Sequence, residues 1–250
     1  MRRGKDEKDC FFLEGPHLLE SALAAGIRLK ALYVSEQASK SEGLRSVLNS
    51  AAKRSVPEHL VSDRIMEKIA DTESPQGIAA IAERPARSLS EIEVHSDSFI
   101  LICDSIQDPG NLGSLIRSAD AAGFSAVILL PGSCDPYAPK VLRSTAGSIF
   151  NLPVVMSTLA ELRAWLNKNG IRLAVADAHK GRSLFEADIA GPLAIALGSE
   201  AHGIGEGLKA AADLMVSIPL LGKAESLNVA AAGAVIMFEA ARRRRPAQSP

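Results

Sequence analysis

The sequence predicts an α/β protein in which a small α/β domain precedes a larger domain built on a parallel β-sheet. In the second half, near-continuous apolar runs alternate with helical stretches, a pattern typical of parallel strands covered on both faces. Residues 1–85 alternate shorter strand-like and helix-like stretches, and a polar linker containing Pro85 follows over residues 83–97. We therefore expect a first domain at residues 1–90 and a second at residues 91–250.

The first domain should contain short strands and helices in alternation. Pro16 at an early helical position and Gly26 just past the end bound its first helix. Ser41 is a candidate N-cap of the second helix, and Ser62 or Asp63 of the third. The expected strands are residues 11–13, 29–34 and 78–82, and the expected helices are residues 16–25, 41–53 and 63–70.

The second domain opens with a buried-type strand, Phe-Ile-Leu-Ile-Cys, that begins at Phe99. A helix with one apolar face follows, because Leu112, Leu115, Ile116 and Ala119 fall at the spacing i, i+3, i+4 and i+7. The last helix should end in an Arg run, which suits the negative end of the helix dipole. The expected strands are residues 99–103, 126–130, 173–176, 193–197 and 214–218, and the last helix is residues 228–245.

Composition excludes several classes of protein. Hydrophobic content is 47% and charged content 23%, which is typical of a soluble globular protein. No apolar run approaches the ~18 residues of a membrane span, and the charged N-terminus has no apolar signal region behind it. The cysteines are scattered, without the spacing of a metal or redox site, at Cys10, Cys103 and Cys134. We therefore expect a cytoplasmic protein with no metal and no membrane partner.

The charge balance argues against a protein that binds nucleic acid through a global field. Formal net charge is −1, with 14 basic and 13 acidic residues over residues 1–90 and 14 basic and 16 acidic residues over residues 91–250. Any contact with nucleic acid must therefore rely on local patches.

Three polar segments, each attached to an apolar run, are the strongest functional signal. They span residues 104–117, 197–203 and 218–228. In open α/β sheets, loops at the carboxyl ends of strands are where ligands bind. Because the three loops carry Asn, Arg, Glu and Ser side chains, we expect one site assembled from distant parts of the chain.

The first segment has two interpretations. Asn111 follows Pro109-Gly110 and opens a helical pattern, so it is a candidate N-cap, with Arg117 as a solvated surface residue. Alternatively, the helix N-terminus binds an anion, and Arg117, one and a half turns further on, reaches that phosphate or carboxylate. Spacing alone favours the capping interpretation.

The other two segments are equally open. Gly198 breaks a strand and lets a ligand approach the backbone closely, and Glu200 is either an exposed charge or a hydrogen-bond acceptor. Ser226 is a candidate N-cap of the last helix, and no Gly-x-Ser-x-Gly elbow surrounds it. The dinucleotide fingerprint, the P-loop and the His-Glu-x-x-His zinc motif are absent from the sequence.

Taken together, the segments resemble a known family. The runs Asn-Leu-Gly-Ser-Leu-Ile-Arg at 111–117, Gly-Ser-Glu at 198–200 with Gly203, and Ile218-Pro with Ser-Leu-Asn at 226–228 resemble the three motifs of the SpoU (TrmH-like) class of SPOUT RNA methyltransferases. Residues 143–153 look like the family's segment between its first two motifs. The stretches at 13–20, 32–35 and 74–78 resemble the L30e-like substrate-binding domain of its ribosomal-RNA members.

This resemblance implies a fold, a cofactor and a reaction. It implies a parallel-sheet SPOUT catalytic domain with a C-terminal trefoil knot, a rare exception to unknotted topology. The protein would be a homodimer that binds S-adenosylmethionine between its subunits and methylates the 2′-oxygen of an RNA ribose. By motif position, the cofactor would contact Leu197, Gly198, Ile218, Leu220 and Leu227, and the reaction centre would hold Asn111, Arg117, Glu200, Ser226 and Asn228.

The role of Arg117 and the identity of the RNA stay open in the sequence. The family's equivalent of Arg117 is credited with activating the hydroxyl, but a guanidinium is charged at any ordinary pH. It would equally hold a phosphate and stabilise negative charge developing on oxygen. The front domain favours 23S ribosomal RNA as the substrate. One alternative is tRNA ribose methylation. The other is an RNA-binding protein without activity, and the intact set of polar residues argues against this second alternative only.

Overall fold

The computed structural model describes residues 9–178, 180–199 and 202–244, and these form two compact units. The first unit contains the chain up to residue 86 together with residues 135–151, and the second contains residues 87–134 and the chain from residue 152 onward.

The first unit is a small α/β layer. Among its described residues a four-stranded sheet has the order β1-β4-β2-β3, in which β4 is antiparallel to β1 and β2, and β2 is parallel to β3. The strands are β1 (Cys10–Glu14), β2 (Leu29–Ser35), β3 (Glu58–Val61) and β4 (Ile78–Glu83), and the helices are α1 (Pro16–Ala24), α2 (Arg45–Lys53) and α3 (Asp63–Ile69). The strand β3 was not predicted, because its residues are mostly exposed and show no apolar alternation.

Two cap predictions in this unit have different outcomes. The Ser62 hydroxyl accepts a hydrogen bond from the Ile65 N–H at 3.4 Å and caps α3, as expected. Ser41 makes no capping bond, because a short 3-10 turn at Glu42–Leu44 precedes α2. The predicted helix over residues 41–53 is therefore two elements.

The second unit is a parallel sheet, which confirms the predicted fold class. Across the described residues it has seven strands in the order β7-β6-β5-β10-β8-β11-β9, and every neighbouring pair is parallel. The five predicted strands are β5 (Phe99–Asp104), β6 (Ala126–Leu129), β8 (Arg172–Ala176), β10 (Leu193–Gly198) and β11 (Leu214–Ser217). Two very short strands, β7 (Val154–Met156) and β9 (Arg182–Ser183), escaped prediction.

Helices surround this sheet and bury its strands. In the described chain these helices are α4 (Pro109–Ala121), α6 (Leu159–Lys168), α7 (Glu206–Lys209) and α8 (Val229–Arg243), while α5 (Pro139–Thr145) packs in the first unit. The predicted apolar face of α4 is buried throughout. Gly233 of α8 allows close packing, since a Cβ there would lie 2.3 Å from Leu115 Cδ2 and 2.8 Å from Leu197 Cδ1. The predicted trefoil knot stays a prediction.

The segment 135–151 lies between β6 and β7 in the chain but packs within the first unit. Arg84 donates to the Asp135 carboxylate, with Nη1 3.0 Å from Oδ1, and its guanidinium lies 5.2 Å from the centre of the Tyr137 ring. The Phe11 ring lies 4.7 Å from that of Tyr137 and 6.3 Å from that of Phe150. Aromatic packing and a paired charge therefore hold this segment against β1 and the end of β4.

No helix in the described ranges is both long enough and apolar enough to cross a membrane.

Candidate active site

The strand ends bring the three polar segments to one side of the sheet. Asp104 of the first segment and Gly198 of the second, the last residues of β5 and β10, are register partners in the parallel sheet. A cavity of about 390 Å³ opens at the carboxyl ends of β8, β10 and β11. This size falls in the range of small-molecule sites, and the position is the one expected for ligands in an open parallel sheet.

The cavity is lined by all five residues that the sequence assigned to the cofactor. These are Leu197, Gly198, Ile218, Leu220 and Leu227, and the predicted reaction-centre residue Ser226 lies in the same wall. The end of β8 also contributes, through Ala176, Asp177 and Ala178, which the sequence did not single out. Only the position of these three residues at a strand end pointed to them.

The second segment folds back over Gly198. A Cβ at Gly198 would lie 2.2 Å from the carbonyl carbon and oxygen of Gly203, so only glycine fits there. The Gly203 N–H donates to the Ser199 carbonyl at 2.8 Å, and the His202 N–H donates to the Ser199 hydroxyl at 3.1 Å. The predicted catalytic residue Glu200 lies outside the described residues.

The walls of the cavity suit S-adenosylmethionine. Apolar side chains such as Val216, Ile218 and Ile236 offer a surface for a flat base, and the hydroxyls of Ser199 and Ser226 offer hydrogen bonds. Gly198 was expected to let a ligand approach the backbone closely, but the backbone of Gly203 occupies the space that a side chain at Gly198 would need, so the folded-back loop itself forms this part of the wall. This combination of apolar walls with a few polar groups is usual in cofactor sites.

In the first segment, the structure corrects the residue predicted to cap α4. Asp108, not Asn111, is the N-cap of α4, and its Oδ1 accepts from the Asn111 N–H at 2.8 Å. The Asn111 side chain is therefore free of a capping role. Its Oδ1 accepts from Asn228 Nδ2 at 3.0 Å, so a direct hydrogen bond joins the first and third segments.

In the third segment, the structure corrects the residue predicted to cap α8. Asn228, not Ser226, is the N-cap of α8, because Asn228 Oδ1 accepts from the N–H groups of Ala230 and Ala231 at 3.0 and 3.3 Å. These two bonds fix the orientation of the amide, since its oxygen faces the helix and its nitrogen must face Asn111. One side chain thus starts the last helix and ties it to α4.

Arg117 lies on the exposed side of α4, six positions after Asn111 or about 9 Å further along the helix. It forms no salt bridge with any residue the structure describes, and it is not in the cavity wall. Of the described reaction-centre candidates, Asn111 and Asn228 therefore touch, Ser226 lines the cavity, and Arg117 stands apart with its guanidinium in solvent.

Two other chemistries find little support. Burial and the neighbouring Cys134 raise the pKa of the Cys103 thiol far above its ordinary value, so Cys103 is not a ready nucleophile. No group of His, Cys, Asp or Glu within the described part of the chain is arranged to hold a metal ion.

Fold and site together define an α/β domain that binds a small ligand at the carboxyl edge of a parallel sheet. Residues 98–238 match the SpoU rRNA methylase family, and residues 1–80 match the MRM3-like substrate binding domain. The chain belongs to the SpoU rRNA methylase family, as its three polar segments predicted.

Relatives are similar over almost the whole chain. The 23S rRNA (guanosine(2553)-2′-O)-methyltransferase RlmP of Bacillus subtilis is 32% identical over 95% of this chain and 90% of its own. The 23S rRNA (uridine(2479)-2′-O)-methyltransferase of Streptomyces viridochromogenes is 32% identical over 94% of this chain and 83% of its own. The crystal structure of the SpoU methyltransferase AviRb from that organism, in complex with AdoMet, has a TM-score of 0.87 at 30% identity and covers 98% of this chain and 94% of its own.

Proposed function

We propose that this protein is an S-adenosylmethionine-dependent methyltransferase that modifies the 2′-oxygen of a ribose in 23S ribosomal RNA. The observation that carries the proposal is the cavity at the carboxyl edge of the sheet, whose walls come from the second and third segments. The hydrogen bond from Asn228 to Asn111 adds the first segment to the same site. Membership of the SpoU rRNA methylase family supports the reaction.

The residues divide between two tasks. Leu197, Gly198, Ile218, Leu220 and Leu227 hold the methyl donor, which when bound supplies a methyl group attached to a positively charged sulfur. Transfer requires the ribose 2′-oxygen to lie in line with that methyl group and to lose its proton. Arg117 is exposed and able to hold an RNA phosphate beside the ribose and to stabilise negative charge on the attacking oxygen.

The remaining polar residues complete the reaction centre. Asn111 and Asn228 fix the position of α4, and therefore of Arg117, relative to the cavity. Ser226 presents a hydroxyl beside Leu227 in the cavity wall. Glu200, whose position in the second motif assigns it to the same centre, is included on that ground alone.

A homodimer is part of the proposal. In α8, Val235 is 40% exposed and Phe238 is 52% exposed, and they lie on one face of the helix with Ala231. An apolar helix face of this kind is typical of a protein–protein interface. A second copy would also offer a partner surface to Arg117, which has no ion-pair partner among the described residues of its own chain. Replacing Phe238 by Asp should give a monomer in analytical ultracentrifugation, and an unchanged dimer would reject this interface.

Ribosomal RNA is the favoured substrate over tRNA. A solved structure described as an rRNA methyltransferase from Sinorhizobium meliloti, in its AdoMet-bound form, covers 97% of this chain with a TM-score of 0.87. A solved structure that concerns 2-OH methylation of C/U34 on tRNA covers 60% of this chain with a TM-score of 0.54. We assign residues 1–90 to substrate binding and residues 91–250 to a knotted methyltransferase domain. We also assign the protein to the cytoplasm.

One experiment separates the candidate functions. Purified protein is incubated with S-adenosylmethionine carrying a labelled methyl group and with 23S rRNA or total tRNA, and the modified nucleoside is identified by mass spectrometry. A 2′-O-methylated nucleoside in 23S rRNA supports the proposal, whereas label confined to tRNA selects the alternative substrate. Absence of label together with no heat of cofactor binding in calorimetry selects an RNA-binding protein without activity.

A further inference from the structure

We infer that Asp104 is a positioning residue that holds the second segment in its cofactor-binding shape and thereby sets the affinity for the methyl donor. The inference rests on the proposed function, since it assigns a role toward the same cavity. Asp104 does not line that cavity itself. It acts through the loop that follows Gly198.

The Asp104 carboxylate ties two distant parts of the chain. Its Oδ2 accepts from the Gly205 N–H at 2.8 Å, across 101 positions of sequence. A charged acceptor makes this bond stronger than one between neutral groups. A Cβ at Gly205 would lie 3.2 Å from the same Oδ2, so glycine allows the close approach.

The strand end presents this carboxylate in a fixed direction. Asp104 is the last residue of β5, and Ser105 directly after it has a φ of 58°, in the left-handed region. The Ser105 hydroxyl lies 3.2 Å from Asp104 Oδ1. A Cβ at Gly132 would lie 2.8 Å from the Ser105 hydroxyl oxygen, so this turn is closely packed as well.

Gly205 is the far end of the loop that forms one wall of the cavity. Gly198, the near end, is fixed by β10, and the wall between the two ends includes Ser199, Gly203 and Ile204. The Ser199–Gly203 bridge shapes the loop internally but does not attach it to the sheet. The buried Ile204 side chain holds the second end of the loop by apolar packing, and the bond to Asp104 holds its backbone. Loss of that bond should let the wall shift relative to the cofactor.

A comparable carboxylate lies at the opposite end of the strands, where the parallel strands begin. Asp213 Oδ2 accepts from the Leu173 N–H, also at 2.8 Å, at the start of β8. This bond has the same donor, acceptor and length, but neither residue lines the cavity. Asp213→Ala therefore controls for the general cost of losing such a bond.

The test compares Asp104→Ala, Asp104→Asn and Asp213→Ala in the full-length protein. Calorimetry measures the dissociation constant of S-adenosylmethionine without RNA, steady-state kinetics measures kcat and both KM values on 23S rRNA, and thermal unfolding measures stability. For Asp104→Ala we expect the dissociation constant and the KM for the cofactor to rise roughly tenfold, the loss typical of one charge-assisted hydrogen bond. The kcat at saturating cofactor and the KM for RNA should change much less.

Asp104→Asn keeps an acceptor oxygen and should recover most of the affinity. Asp213→Ala should lower the Tm to a similar extent as Asp104→Ala while leaving the cofactor dissociation constant unchanged. Equal cofactor affinities in wild type and Asp104→Ala, or equal losses in the two alanine variants, would overturn the inference. Failure of the wild-type protein itself to bind S-adenosylmethionine would instead reject the proposed function.

Discussion

The two halves of the proposed site are built in different ways. The cofactor half is a cavity whose walls are apolar side chains and folded-back backbone. The acceptor half is polar and open, with Arg117 and Asn228 exposed and Asn111 half-buried. Close packing fixes the first half in advance, whereas the second half presents groups to a partner. We therefore expect substitutions in the two halves to affect different steps.

The largest effect should come from Arg117 in the acceptor half. Arg117→Lys should lower the methyl-transfer rate at saturating cofactor by roughly 10²–10³-fold, because a Lys ammonium cannot reproduce the planar donor fork. Single-turnover kinetics measures the rate, and calorimetry should give an unchanged affinity for S-adenosylmethionine. The exposed Arg163 of α6 provides the control variant Arg163→Lys. Retained activity in Arg117→Lys would reject both roles considered for this residue.

Gly198 tests the cofactor half. Gly198→Ala places a methyl group 2.2 Å from the Gly203 carbonyl, so the loop must shift, and cofactor affinity should fall roughly 10- to 100-fold. Gly222→Ala is the matched control, because a Cβ there meets no atom within 4 Å. Calorimetry of S-adenosylmethionine binding gives the comparison. Equal affinities in the two variants would show that the loop is not closely packed.

The bond between the halves should have a smaller effect. A double-mutant cycle with Asn111→Ala and Asn228→Ala should give a coupling energy of about 0.5–1.5 kcal/mol in urea unfolding, the usual net value of one hydrogen bond. Asn228→Ala alone should cost more than Asn111→Ala, because it also removes the cap of α8. Additive effects of the two substitutions would mean that the halves are not coupled through this contact.

The smallest effect concerns the ion pairs of Glu239 near the end of α8. Hydrogen bonds from Arg242 and Arg243 hold the pKa of the buried Glu239 at about 2, below its ordinary value of 4.5. Because the folded-state pKa is depressed, the stabilisation is present above about pH 4.5 and is lost as the pH falls toward about 2.

The midpoint of urea unfolding should therefore decrease over that window in the wild type and decrease less in Glu239→Gln. Glu186→Gln, at an exposed position, is the control. At neutral pH, cofactor affinity should be the same in all three proteins, and a loss of affinity in Glu239→Gln would link this ion pair to the site.

The sequence predicted the strands and helices that have long apolar patterns. It did not predict the features that depend on contacts between distant residues. The apolar runs identified the five longer strands of the parallel sheet, while β7 and β9 are too short to show a period. Asn111 was considered as an N-cap although Pro109 at the first helical position indicated Asp108. The family resemblance identified five residues of the cavity wall, from Leu197 to Leu227, but not others such as Asp177, Val216 and Ile236. The contacts between Asn111 and Asn228 and between Asp104 and Gly205 span more than a hundred positions, so only the fold reveals them.

The segment 135–151 has a consequence for how the protein can be divided. A fragment that begins after residue 86 would retain Tyr137 and Phe150 but lose Phe11 and Arg84, the residues against which they pack. A fragment that ends there would lose the aromatic cover of its own first strand. Recombination between relatives would therefore have to exchange both stretches of chain together. Simple fusion or loss of the front domain during evolution would leave an exposed apolar surface in the catalytic half.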